Sequence, residues 1–241
     1  MEAKRTKIIG IIGGAGVAAT NKLNELLEIE LTKKGAFRDA HHPQILTFQA
    51  TQAPSRSLYL EGRGEDFTQD YIEVGKRLQD FGAQTLCMCC NTAHYSFDAI
   101  SKALPKVKFL NLIESAVLKV KQSGAKSVGL IASDGCLKGR VYERYFEKLC
   151  PKVKIIYPNA EFQKRVTQGI CNIKNIHRFD NAKSLERPKN IFKQVREHLL
   201  SGGGDIILLG CTDIRVDYYN ACDICSLEVL KDLILKEVWN E

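Results

Sequence analysis

Two cysteines, one in each half of the chain, follow apolar runs and are followed by small polar residues. Cys90 begins the segment CNTAH, and Cys211 lies in the segment GCTD. If two such thiols face each other across a cleft, one thiolate removes a proton from a carbon and the opposite thiol returns a proton to its other face. The pair therefore suggests proton transfer at a carbon atom.

The residues next to each thiol favour an ionised sulfur and a bound anion. A helix is predicted to begin at Asn91-Thr92 and at Thr212-Asp213, and a helix amino terminus stabilises a thiolate. Both threonines can donate hydrogen bonds to a carboxylate through hydroxyl and backbone groups, and Asn91 can donate through its amide. On this pattern alone, a buried cysteine that only fills space at a strand end is an equally good interpretation.

The elements that must position these thiols alternate between short apolar runs and helical patterns. The predicted strands are Lys7–Ile12, Gln44–Phe48, Gln84–Cys89, Lys108–Asn111, Ser127–Ile131, Lys152–Tyr157 and Asp205–Leu209. The predicted helices are Asn21–Lys33, Asp66–Phe81, Tyr95–Ala103, Ile113–Ser123, Val141–Lys148, Glu161–Ile173, Arg187–Ser201 and Leu227–Trp239. Buried parallel strands connected by helices form βαβ units, so we expect an α/β fold with a parallel sheet in each half.

The two halves of the chain share a plan. Residues 7–13 (KIIGIIG) resemble residues 126–132 (KSVGLIA), and a cysteine segment follows each at a similar distance. We predict two similar α/β lobes related by a pseudo-two-fold axis, with residues 1–112 and 220–241 in one lobe and residues 113–219 in the other. The carboxyl ends of both sheets then line one cleft between the lobes. The alternative is that any two strand starts in an α/β protein look alike.

Length, charge and cysteine content exclude several classes of protein. The 241 residues can bury a substantial core, and the apolar run of residues 8–12 is too short for a signal or membrane-spanning segment. We expect a cytoplasmic protein without a membrane partner, whose nine cysteines are reduced. The net charge of +7 suits an anionic ligand, but the basic residues are scattered without interleaved aromatics, which argues against nucleic-acid binding.

A glycine-rich turn after the first strand suggests an alternative ligand. Residues 14–19 (GAGVAA) loosely fit a dinucleotide fingerprint, but the second strand ends in FQATQ, without the carboxylate that would bind a ribose. A turn whose backbone N–H groups hold a carboxylate at the amino end of the next helix fits better. A glycine turn that only packs fits as well.

The cysteines suggest a second alternative, a zinc site. Cys87, Cys89 and Cys90 could combine with Cys222 and Cys225. Strand alternation, however, points Cys90 away from the other two in its strand, so we expect no metal. For most of the remaining thiols, burial as small hydrophobic side chains is the simpler interpretation.

Several segments occur in the order typical of one enzyme family. They are residues 13–16 (GGAG) with Ala19-Thr20, residues 54–56 (PSR), residues 90–94 (CNTAH), residues 132–142 (ASDGCLKGRVY) and residues 210–212 (GCT). With these segments, which span nearly the whole chain, the sequence resembles the aspartate/glutamate racemase family and is most similar to its aspartate racemase branch. The resemblance implies two similar α/β lobes, commonly a homodimer, and racemisation of a small anionic amino acid without pyridoxal phosphate, metal or nucleotide.

The same resemblance implies roles for particular residues. Cys90 and Cys211 correspond to the family's catalytic pair. The substrate contacts correspond to Ala15, Gln52, Arg56, Asn91, Thr92, Ala93, Ser133, Lys174 and Thr212. Arg56 and Lys174 would hold the substrate carboxylates, the arginine bidentately, although without the resemblance either cation is equally well explained as solvated surface charge. His94 could tune Cys90 or could act as a cap or structural partner.

Two departures from the family pattern bear on the substrate. Asp213 follows residues 210–212, where the family usually has glutamate. The carboxylate near Cys211 is therefore on a side chain that is shorter by one methylene group. Cys136 and Lys138 replace small hydroxyl residues expected near Ser133. We expect interconversion of L- and D-aspartate, with glutamate or a broader range of amino acids as alternatives. Hydantoin racemase or maleate isomerase activity, and a non-catalytic amino-acid-binding protein, are the other hypotheses.

Overall fold

Short runs of isoleucine, leucine and valine form the central strands of two parallel sheets. The structure, a computed structural model, describes residues 7–239. Every residue of β1 (Ile9–Gly13) is buried, and so is every residue of β5 (Ser127–Ile131), the central strand of the second sheet. Strands buried on both faces are typical of parallel sheets that are covered by helices on each side.

Each sheet has four parallel strands in an equivalent order. The first sheet runs β2-β1-β3-β4 and the second runs β6-β5-β7-β8. The remaining strands are β2 (Ile45–Gln49), β3 (Thr85–Met88), β4 (Lys108–Phe109), β6 (Lys154–Ile156), β7 (Ile206–Leu209) and β8 (Ile224–Cys225). The matching orders confirm the predicted α/β fold with two similar lobes, and β8 is a strand that the sequence did not predict.

Helices connect the strands in both lobes. They are α1 (Val17–Lys33), α2 (Arg56–Leu60), α3 (Thr68–Asp80), α4 (Phe97–Ala103), α5 (Leu112–Ser123), α6 (Asp134–Lys138), α7 (Glu143–Leu149), α8 (Ala160–Asn172), α9 (Pro188–Ser201) and α10 (Ser226–Trp239). One-turn 3₁₀ helices cover Asp39–His41, Thr92–Ser96, Ile176–Phe179 and Thr212–Val216. Across residues 7–239, no helix has both the length and the apolar character that crossing a membrane would require.

The lobes contact each other through the segments that follow their strands. Helix α1 of the first lobe packs against the 3₁₀ helix 212–216 of the second, and α2 packs against α6. Helix α6 approaches α2 closely because Gly135 has no side chain, and a Cβ there would overlap the backbone of Ser57. Helix α6 also contacts the 3₁₀ helix at residues 92–96. The first helix after β1 and the first helix after β5 therefore each contact the segment that follows the cysteine of the opposite lobe.

The carboxyl-terminal segment contacts both lobes. Strand β8 pairs with β7 in the second sheet, whereas α10, which follows it, packs against α1 and α5. The prediction placed residues 220–241 in the first lobe. Residues 224–225 of this segment instead form a strand of the second sheet.

Candidate active site

The two thiols occupy equivalent places in the two lobes. Cys90 follows β3 and Cys211 follows β7, and each precedes a one-turn 3₁₀ helix, at residues 92–96 and 212–216. Strands β3 and β7 hold the same position in their sheets. Burial raises the pKa of the Cys211 thiol, and a negative charge on Cys90 raises it further.

Arg56 lies beside Cys90. It is the first residue of α2, which begins there because the Ser55 side chain accepts a hydrogen bond from the backbone N–H of Leu58. The Nη1 atom of Arg56 donates to the carbonyl oxygen of Pro54 at 2.9 Å. Burial lowers the pKa of the guanidinium, but the charge of an ionised Cys90, together with the effects of other neighbouring groups, raises it above its usual value. A permanent positive charge thus faces this thiol, which is 8% exposed.

Lys174 and Asp213 form an ion pair beside Cys211. Lys174 follows α8, and its Nζ atom lies 3.2 Å from Oδ2 of Asp213. Burial raises the pKa of the Asp213 carboxyl, and the charge of Lys174 partly offsets this effect. Beyond the effect of burial, Asp213 raises the pKa of Cys211 and Lys174 lowers it. The two charges of the pair therefore act in opposite directions on the thiol.

The amino end of α1 meets Asp213 across the lobes. Gly16 precedes α1, no side chain caps this helix, and its first turn contains no acidic residue. A Cβ on Gly16 would overlap Oδ1 of Asp213, which is buried without a hydrogen-bond partner. The Asp213 carboxylate thus lies at the positive end of the helix dipole. The sequence predicts a carboxylate at this glycine turn, and in the structure the protein's own carboxylate lies there.

A cavity of about 1080 Å³ opens between the glycine turn and the segment after α8. Its wall includes Ala15 from the turn and both cations, Arg56 and Lys174. Over residues 7–239, this wall contains neither of the two thiols.

A comparison with known families covers most of the chain. Residues 8–226 match the model of the Asp/Glu/hydantoin racemase family. The chain belongs to this family. The family assignment agrees with the resemblance found in the sequence and establishes an amino-acid racemase type of enzyme.

Individual relatives show the same relationship. The chain is 21% identical over 209 residues to the broad specificity amino-acid racemase RacX of Bacillus subtilis (strain 168), and the match covers 86% of each protein. The aspartate racemase of Picrophilus torridus is 26% identical, with a TM-score of 0.77 over 97% of this chain and 94% of that chain. A glutamate racemase from Campylobacter jejuni, 16% identical with a TM-score of 0.61 over 95% of this chain and 85% of that chain, shares the fold.

Two predicted substrate contacts of the racemase instead join the lobes. The Asn91 side-chain amide donates to Ser226 at 3.0 Å, and its carbonyl oxygen accepts from the Tyr142 hydroxyl at 2.6 Å. The Thr212 hydroxyl donates to the carbonyl oxygen of Cys89 at 3.3 Å. The hydroxyl proton of Thr212, the carbonyl oxygen of the Asn91 side chain and one of its two N–H groups are therefore used in these contacts.

Thr92 and Ser133 meet where α6 of the second lobe packs against the first lobe. Their hydroxyl oxygens lie 3.1 Å apart, and the Ser57 hydroxyl donates to Ser133 at 3.4 Å. Ser133 also begins α6 by accepting a hydrogen bond from the backbone N–H of Cys136 at 3.3 Å. The structure thus brings these two predicted contacts together, on the Cys90 side of the cleft.

His94 is a structural partner of the Cys90 segment. Its Nδ1 lies 2.8 Å from the Cys90 carbonyl oxygen, and its Nε2 accepts from the backbone N–H of Leu112 at 3.3 Å. Burial lowers the pKa of His94 to about 4. The neutral ring therefore holds the Cys90 backbone and does not contact the sulfur in these hydrogen bonds. Its neighbour Ala93 is fully buried in the same cluster as Cys90.

Gln52 lies apart from the other predicted contacts. Its side chain is exposed in the turn after β2, and its neighbour Thr51, not Gln52, lines the described cavity wall. No three His, Cys, Asp or Glu side chains within residues 7–239 are grouped as metal ligands would be.

Sequence reasoning missed Tyr71, a fully buried tyrosine of α3 that shares the apolar cluster of Cys90. At helical spacing from Phe67 and Val74, its aromatic ring is the pattern of an ordinary core residue. Only the position of its hydroxyl group, which depends on tertiary packing, distinguishes it.

Proposed function

We propose that this member of the racemase family interconverts L- and D-aspartate by moving protons through Cys90 and Cys211. The observation that supports this best is the equivalence of the two thiols, each of which follows the third strand of its sheet. A cation accompanies each thiol, Arg56 beside Cys90 and Lys174 beside Cys211.

Racemisation in this proposal needs one thiolate and one thiol. The thiolate takes the α-proton, the C–H electron pair stays on the carbon, and the opposite thiol supplies the proton of the new C–H bond. The protonation states of the two cysteines are exchanged by each turnover, so each is the base for one enantiomer. Because burial raises the pKa of Cys211, we assign Cys211 as the protonated thiol of the substrate-free protein.

The two cations neutralise the charge that develops on the α-carboxylate as the α-proton leaves. Arg56 can take one carboxylate in a bidentate arrangement. The second carboxylate of aspartate would approach Lys174, whose Nζ already pairs with Asp213. Aspartate must therefore share or displace this ion pair, whereas an amino acid with an uncharged side chain leaves it intact.

Deuterium exchange tests the proposed function. Incubation with L-aspartate in deuterated water should place deuterium at Cα and abolish the optical rotation of the sample. Cys90→Ser and Cys211→Ser should each lower the racemisation rate by at least about a thousandfold, as removal of one member of a catalytic unit does. Full activity in either variant would contradict the two-thiol assignment.

Cys171→Ser is the matched control, because Cys171 is an exposed cysteine on α8. It should retain the racemisation rate of the parent protein. A panel that contains glutamate, uncharged amino acids, a hydantoin and maleate distinguishes aspartate racemisation from the related activities. Saturable binding of amino acids without any exchange would instead support the non-catalytic binding protein.

We also propose that the protein is a homodimer, in keeping with the expectation from sequence. Light scattering coupled to gel filtration measures the molar mass directly. A mass equal to that of the single chain of 27.0 kDa would contradict this part of the proposal.

A further inference from the structure

Two polar atoms that belong to groups within electrostatic range of Cys90 are buried without hydrogen-bond partners. They are the hydroxyl oxygen of Tyr71 and Nε of Arg56. Tyr71 is fully buried, and a buried polar group left unpaired costs about 1–3 kcal/mol of stability. Groups of this kind are retained where a bound ligand or a charged state supplies the missing partner.

The aromatic cluster around Tyr71 fixes the position of its ring. Phe67 packs edge-on against Tyr71, with ring centroids 5.3 Å apart. Phe67, Tyr71 and Cys90 belong to one buried cluster at the carboxyl end of the first sheet. Packing therefore restricts the position of the Tyr71 ring.

The surroundings of the Tyr71 hydroxyl identify its missing partner. Burial raises the pKa of Tyr71, a negative charge on Cys90 raises it further, and the charge of Arg56 lowers it. The phenol is therefore neutral and lies within electrostatic range of both groups. A neutral phenol can donate one hydrogen bond through its proton and accept others through its oxygen. An ionised sulfur needs a hydrogen-bond donor, and the unpaired Nε–H of Arg56 needs an acceptor. The phenol of Tyr71 can serve both groups.

We propose that Tyr71 is a positioning residue for Cys90, whose phenol O–H donates a hydrogen bond to the Cys90 thiolate while its oxygen accepts one from Nε–H of Arg56. Both unpaired atoms are satisfied as the thiolate forms. The phenol then stabilises the ionised sulfur and carries no charge of its own. This inference rests on the proposed function only where it concerns turnover, because the ionisation of Cys90 can be measured without substrate.

Other groups also act on the ionisation of Cys90 and must be kept constant. The groups whose pKa values respond to a charge on Cys90 are Arg56, Tyr71, Cys89, Cys136, Lys174 and Cys211. The experiment therefore uses the Cys211→Ser protein, in which the opposing thiol cannot ionise.

The test compares Tyr71→Phe with its parent in the Cys211→Ser background. The rate at which iodoacetamide alkylates Cys90 is followed against pH, with peptide mass spectrometry to separate this thiol from the other cysteines. We expect the midpoint of the profile to rise by about one pH unit, equivalent to a tenfold smaller ionisation constant. A midpoint shifted by less than about 0.2 units would overturn the proposal.

Tyr59→Phe is the matched control. Tyr59 also packs against Phe67, with centroids 5.7 Å apart, but its phenol interacts with Asp66. Its removal should leave the Cys90 midpoint unchanged. Should Tyr71→Phe prove unfolded by circular dichroism, incorporation of 3-fluorotyrosine at residue 71 keeps the ring and strengthens the donor. The Cys90 midpoint should then fall, and a midpoint that stays or rises would overturn the proposal.

Kinetics provide the second readout, in the protein with both active cysteines. Because the equilibrium constant of racemisation is 1, kcat/KM must fall equally in both directions. We expect the acid limb of kcat/KM to move to higher pH in Tyr71→Phe, with activity recovered above it. A loss that is uniform across pH would indicate a purely structural role. If the protein turns over no substrate, the alkylation profile still tests the role of Tyr71. Failure of the proposed function is therefore distinguishable from failure of this inference.

Discussion

The Nζ atom of Lys174 lies 3.2 Å from Oδ2 of Asp213, next to the Cys211 thiol. Asp213 is 2% exposed, whereas the Lys174 side chain is half exposed and lines the cavity. The buried partner is thus fixed and the exposed one can move. A substrate carboxylate can attract Lys174 away from Asp213, which would leave the Asp213 charge to raise the pKa of Cys211.

Replacement of Asp213 by asparagine should make Cys211 easier to ionise. The variant removes a negative charge beside the thiol and frees Lys174, and both changes lower the pKa of Cys211. We expect a decrease of about one unit or more, measured as the pH profile of Cys211 alkylation in a Cys90→Ser background. Asp223→Asn is the control, since Asp223 forms a buried pair with Arg196 elsewhere in the same lobe. An unchanged or raised midpoint in Asp213→Asn would contradict this interpretation.

The sequence predicted the framework of the lobes but not the smallest elements. Short apolar runs between turn-forming residues, such as that of β5, indicate a buried strand. The helices α2 and α6 have five residues each, too few to show a helical period, and they begin because Ser55 and Ser133 accept backbone hydrogen bonds. Strand β8 has two residues and depends on pairing with β7, which no local pattern reveals.

Within the site, residue type was more informative than residue role. The two cysteines follow equivalent strands, because strand order determines where strand ends meet, and the two cations line the cavity. The amide of Asn91 was predicted to face substrate, but it joins the lobes through Tyr142 and Ser226. Hydrogen bonds between distant segments depend on how the lobes dock, which a single sequence does not display.

Gly16→Ala tests the contact between α1 and Asp213. The added Cβ would overlap the Asp213 carboxylate, and either the side chain or the lobe must shift. We expect a loss of about 1–3 kcal/mol in the free energy of unfolding, as for an overpacked core site, together with reduced racemisation. Urea denaturation measures the first effect.

Two further variants separate this clash from backbone strain. Gly35 also has a positive φ, with open space at its Cβ position, so Gly35→Ala reports the strain without the clash. The double variant Gly16→Ala/Asp213→Ala should lose less stability than the sum of its single variants, because contacting residues are coupled. Additive losses would show that the overlap with Asp213 is not the cause.

His94 should make the protein sensitive to acid. Burial holds its folded-state pKa at about 4, below the unfolded value of about 6.5. The folded state therefore binds the proton more weakly, so its stability is fully present above about pH 6.5 and is lost as the pH falls towards 4. The linkage amounts to about 2 kcal/mol between about pH 7 and pH 5.

Urea denaturation at the two pH values measures this loss. His94→Gln should lose about 2 kcal/mol less than the parent protein over this interval, because it has no group to protonate there. His42→Gln, at a half-exposed histidine, should follow the parent. Equal losses in the parent and in His94→Gln would rule out His94 as the source.

Tyr142→Phe tests how strongly the lobes are joined beside Cys90. The Tyr142 hydroxyl donates to Asn91 at 2.6 Å, and both residues are buried. Its removal leaves the Asn91 carbonyl oxygen without this partner, which should cost about 1–3 kcal/mol in the free energy of unfolding. Because Asn91 follows Cys90 directly, we also expect slower racemisation.

Tyr157→Phe removes a more exposed phenol that pairs with Glu143 and should change the stability by less than about 0.5 kcal/mol. Equal effects of the two substitutions on stability would show that the bond to Asn91 does not hold the lobes together.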